Sequence, residues 1–126
     1  MRLLILATIG GAIGSGARHL VNVGMTRALG LGFPWATLTV NVIGSFLMGF
    51  LVDMILRRFG GSPELRTFLA TGILGGFTTF SAFSLDISTL LGRGQTEAAI
   101  SYIVASVAIS LLALYAGLAL SRALFS

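Results

Sequence analysis

The chain of 126 residues has no cysteine, no lysine, one histidine, two prolines and four acidic residues. Each shortage removes a class of function. Without cysteine there is no disulfide framework and no thiolate metal site, and the redox compartment leaves no mark on the sequence. The one histidine, His19, stands beside Arg18 with no second metal-type residue at helical spacing, and reads as an interfacial side chain rather than a ligand. No serine–histidine–acid set and no phosphate-binding loop is present, which argues against an enzyme. The net charge of +4 comes from eight arginines placed singly or in pairs, too scattered to form a nucleic-acid patch.

What fills the chain is apolar. Hydrophobic residues make up 56% of it, charged residues 10%, and the mean hydropathy is +0.99. A soluble domain of this size cannot bury that much apolar surface, so the composition is that of a membrane protein. A bilayer core of about 30 Å takes about 20 apolar residues per helix. Four such segments are present, Leu3 to Met25, Trp35 to Leu56, Leu65 to Leu91 and Ala98 to Leu120, joined by turns rich in glycine and proline. Residues 1–126 thus form a single all-α transmembrane domain of four helices. The start, "MRLLILATIGGAIGSGA", has the layout of a signal peptide. Apolar character resumes at Leu20, however, and removal of this piece would take away a glycine packing surface, so it is read as the first helix.

Four short helices have too few walls to enclose a polar path alone, which points to an oligomer. Gly10 with Gly14, and Gly72 with Gly76, are small-xxx-small pairs, whose ordinary use is close helix packing. Polar residues align more tellingly. Thr37, Asn41 and Ser45 fall at i, i+4 and i+8 in the second segment, Tyr102, Ser106 and Ser110 repeat that spacing in the fourth, and Arg18 continues the face of Gly10 and Gly14. Three stripes could face one path. Single serines and threonines often bond only to their own helix, whereas an amide such as Asn41 within an apolar segment needs partners, as helix–helix glue or as a lining group.

Within the third segment lies "GGFTTFSAFS", Gly75 to Ser84. It reads as a helix break at mid-membrane: the glycines supply conformational freedom, and Thr78, Thr79 and Ser81 satisfy or redirect freed backbone groups. Such breaks present carbonyls to cations and amides to anions. Phe80 and Phe83, at i and i+3, project from one face. They read either as packing residues or as aromatic edges able to meet an anion without trapping it.

Together "GGFTTFSAFS", "TLTVN" in the second segment, "GGAIGSGAR" in the first and the Tyr102, Ser106, Ser110 stripe resemble the Fluc family of fluoride channels, also called CrcB, along the whole chain. The resemblance implies an antiparallel, dual-topology homodimer in the inner (plasma) membrane, with two pores that export fluoride passively and a structural sodium ion at the dimer centre. It assigns Gly75 and Thr78 to the sodium through their backbone carbonyls. Asn41, Phe80, Phe83, Tyr102, Ser106, Ser110 and Thr37 line the fluoride pore, and Arg18 draws anions into a vestibule. Fluoride, a second copy of the chain and the bilayer are then its partners, with no nucleic acid among them. Ala82, where a threonine is usual, Ala36 and His19, where a glycine and an aromatic are usual, and Asp86, where glutamate is common, depart from the pattern.

Two rival classes stand beside this one. A coupled exporter resembling the small multidrug-resistance transporters would need an acid in its first helix, yet the first acid here is Asp53. A non-conducting assembly subunit would not need the aligned polar stripes. Arginine placement bears on topology. Arg2, Arg57, Arg58, Arg66 and Arg122 fall on one side of four crossings and Arg18, Arg27 and Arg93 on the other, a weak bias that permits insertion both ways.

Overall fold

The computed structural model describes residues 1–126, which form helices joined by short connections, with no strand. The first helix is Arg2–Leu29, the second Trp35–Phe59, the third span Pro63–Gly92 and the fourth Thr96–Phe125. All four are long and apolar enough to cross a membrane, which makes this a multi-pass membrane protein.

The helices overrun the apolar segments read from the sequence. The second continues through Arg57 and Arg58 to Phe59 and stops at Gly60, whose φ of 62° and ψ of 23° favour glycine. Cations in a last turn complement the helix dipole, and long arginine stems keep their heads at the interface, so hydropathy underestimates the helix. The third span starts with Pro63 in the first turn and the Ser62 hydroxyl accepting the Leu65 N–H at 3.3 Å.

Glycine sets the packing. A Cβ on Gly10 would lie 2.6 Å from the Phe68 carbonyl and 2.9 Å from the Gly72 Cα; one on Gly76 would lie 2.5 Å from the Gly11 carbonyl. Both small-xxx-small pairs therefore press the first helix against the third. The second and fourth helices meet the same way: a Cβ on Gly117 would come within 2.8 Å of the Phe50 N.

The third span is not uniform. Arg66–Leu74 is wound as a π-helix, Gly75–Phe77 returns to α-helix, and a regular helix runs again over Phe80–Gly92. Between these pieces Thr78 (φ −88°, ψ 158°) and Thr79 (φ −154°, ψ 124°) are extended. This corrects one detail of the sequence reading. Gly75, with φ −62° and ψ −37°, is ordinary right-handed helix, so the glycines do not supply the departure from helix. Gly76 instead gives the first helix room, and the two threonines leave the helical path.

Only 17 of the 126 residues are buried, and large side chains such as Leu20, Leu112 and Leu124 stand exposed. A lone chain therefore has little core, and its apolar surface is suited to lipid or to another protein. The main buried cluster is Phe83, Leu90, Ala99 and Tyr102. Phe33 meets Tyr102 edge-on at 5.5 Å and Phe83 meets it at 5.1 Å between ring centroids.

Candidate functional site

The extended pair Thr78 and Thr79 has backbone groups that a helix would have paired, and side chains now hold several of them. Asn41, from the second helix, accepts the Thr79 N–H at Oδ1 (2.8 Å) and donates from Nδ2 to the Thr79 carbonyl (3.0 Å). The Thr79 hydroxyl accepts the Ala82 N–H at 3.1 Å and so caps the helix that starts at Phe80. From the first helix, Arg18 Nε donates to the Gly76 carbonyl at 3.0 Å. The Thr78 hydroxyl turns back to the Leu74 carbonyl at 2.9 Å.

These bonds have a consequence for two other carbonyls. In a continuous helix Gly75 would receive the Thr79 N–H and Thr78 the Ala82 N–H. Both donors are diverted, the first to Asn41 and the second to the Thr79 hydroxyl. The carbonyls of Gly75 and Thr78, the pair that the resemblance assigns to a cation, thus lose their regular partners.

Beside the interruption lies a cleft of about 400 Å³. Asn41 and Ser45 line it from the second helix, Thr78, Thr79, Phe80 and Phe83 from the third span, and Ser106 and Ser110 from the fourth. The hydroxyls of Ser106 and Ser110 are buried and have no hydrogen-bond partner within the chain. Phe80 and Phe83 are tilted at 47° with centroids 5.5 Å apart; Phe83 is buried, whereas Phe80 is 78% exposed on the lone chain. The start of the Phe80–Gly92 helix opens on the cleft, which adds the positive end of its dipole. Hydroxyls, an amide and ring edges are neutral groups able to meet an anion. The cleft offers them with no acid among its lining residues.

Not all the stripes converge there. Arg18 and Thr37 line a separate cleft of about 220 Å³ with His19, Thr79 and Asp86. Tyr102 is wholly buried among aromatic rings and donates to Asp86 Oδ2 at 2.9 Å. Within one chain, then, the Tyr102 end of its stripe is closed off from the cleft that Ser106 and Ser110 face, and Gly75 is not among that cleft's lining residues.

Three residues that the sequence reading noted but gave no role in the pore or the cation site belong to this geometry. Thr79 organises the interruption through three hydrogen bonds. Its signal was present as a threonine three residues before Ala82, the spacing of a helix cap. Ser45 extends the Asn41 stripe into the cleft, and Asp86 holds Tyr102. The Asp86 pairing joins residues 16 apart, which no helical period reveals.

Residues 5–118 match the family model described as CrcB-like protein, Camphor Resistance (CrcB). A protein of Rhizobium meliloti (strain 1021) named "Fluoride-specific ion channel FluC" is 56% identical over 124 residues, 98% of this chain and 99% of that protein. Proteins of the same name from Chelativorans sp. (strain BNC1) and Rhodospirillum centenum (strain ATCC 51521 / SW) are 57% and 49% identical over 121 and 122 residues. Matched over nearly its whole length, the chain belongs to the CrcB family.

Proposed function

We propose that this protein is a fluoride-specific ion channel, a passive pore through which fluoride leaves the cell across the plasma membrane. The observation that carries the proposal is the 56% identity, over 98% of the chain, to a relative named a fluoride-specific ion channel. The cleft supports it chemically. A small, strongly hydrated anion must exchange its water for donors, and neutral donors let it enter without holding it too tightly to leave. Asn41, Phe80, Phe83, Ser106 and Ser110 are the pore lining in this reading. Thr37 and Tyr102, which the resemblance also assigns to the pore, lie beside Asp86 and apart from this cleft within one chain, and Arg18 draws anions into the lateral cleft.

The working unit is an antiparallel homodimer of chains inserted both ways, each with its third helix broken at mid-membrane. A lone chain leaves Phe80 78% exposed over the cleft, so a second copy completes the wall. A structural sodium ion at the dimer centre fits the residues present, because the Gly75 and Thr78 carbonyls have lost their helical donors. Two copies would offer four such oxygens. When bound, the ion supplies the positive charge that offsets these dipoles and ties the copies together. The coupled-exporter reading is disfavoured because the first helix has no acid and Asp53 is 2.8 Å from Arg57.

Expression in a bacterium deprived of its own fluoride efflux tests the proposal in the cell. Growth in fluoride should be restored. Membrane-inserted protein that restores none would overturn the proposal.

A further inference from the structure

Two carbonyls at the interruption are claimed by side chains of other helices, Thr79 by Asn41 and Gly76 by Arg18. In a continuous helix Gly76 would receive the Phe80 N–H, but Phe80 begins the next helix beyond two extended residues. Arg18 takes that place, and it acts on a peptide already pressed against the first helix. A Cβ on Gly76 would lie 2.5 Å from the Gly11 carbonyl and 3.1 Å from the Ser15 N. The peptide that Arg18 holds follows directly on the one bearing the Gly75 carbonyl, and it leads through Phe77 into Thr78. Its orientation therefore constrains where both of those oxygens point.

We infer that Arg18 is a positioning residue for the cation site: its Nε–H fixes the Gly76 peptide and thereby aims the Gly75 and Thr78 carbonyls. This rests on the sodium reading above and is distinct from drawing anions with the guanidinium charge. The hydrogen bond comes from Nε, the arginine nitrogen nearest the backbone. Glutamine places an amide nitrogen the same number of bonds from the Cα, so it keeps a donor at that place and removes the charge. Methionine has similar length and removes both.

The purified dimer is titrated with sodium against a background of N-methylglucamine, and its thermal unfolding midpoint is followed. Arg18→Met should raise the sodium concentration for half-maximal stabilisation about tenfold, the effect of one lost hydrogen bond to a charged donor, while Arg18→Gln should stay near wild type. Equal behaviour of the two variants, whether both shifted or both unshifted, overturns the inference and leaves the sodium reading standing. Should Arg18→Met fail to fold, a tenfold shift in Arg18→Gln overturns the inference by itself. A wild-type dimer indifferent to sodium overturns the cation-site reading and this inference with it.

Discussion

At the scale of the residue, Asn41 ties the second helix to the third span. Its amide bonds the N–H and the carbonyl of Thr79 and also lines the cleft. Asn41→Asp replaces the donor facing the Thr79 carbonyl with an oxygen and puts a negative charge on the proposed anion path. An unpaired buried polar group costs about 1–3 kcal/mol, which on the barrier to conduction is a fall in fluoride efflux of about 5- to 150-fold. Efflux from liposomes measures it, and wild-type rates would assign Asn41 to packing alone. Phe80→Ile isolates the aromatic edge, because Phe80 is 78% exposed on the lone chain and the change empties no core of that chain. The variant should elute as a dimer and conduct fluoride poorly; unaltered conduction would remove Phe80 from the pore.

Among the elements, glycine spacing separates packing positions from free ones. A Cβ on Gly14 would meet the Phe77 N at 2.8 Å and collide with the Ile73 carbonyl, whereas one on Gly24 would meet nothing within 4 Å. Gly14→Ala should destabilise the protein by about 1–3 kcal/mol through forced backbone shifts. Gly24→Ala should be neutral or stabilising by up to about 1 kcal/mol, because alanine is the better helix former. Unfolding of the two variants in detergent checks the contrast, and equal stabilities would contradict the packing described. These elements also mark how far the sequence could be read. The four spans were legible because apolar runs of sufficient length have one use. Their ends were not, because the turns holding Arg57, Arg58 and Arg122 remain helical at the interface, beyond the reach of hydropathy. Within the "GGFTTFSAFS" stretch Gly75 is helical and Thr78 and Thr79 are extended, since Asn41 and the Thr79 cap satisfy an extended backbone. The π-helix over Arg66–Leu74 had no sequence signal at all. Nor had the Arg18 bond to Gly76, which joins residues 58 apart in the chain.

For the whole molecule, the weak arginine asymmetry and the incomplete wall of the lone chain lead to one expectation, a pair of chains inserted in opposite senses. Ser126→Cys gives a chain that otherwise lacks cysteine a single reactive thiol. An impermeant reagent should label about half the molecules in intact cells, as an antiparallel two-fold pair requires; labelling of nearly all or nearly none would exclude that pair. The central claim, passive selective conduction of fluoride, is tested most directly by purified protein in liposomes loaded with fluoride or chloride and released by a potassium ionophore. Rapid fluoride release with negligible chloride release, and no need for a proton gradient, is the predicted result. Equal release of both anions, no release, or release only with a proton gradient would contradict it.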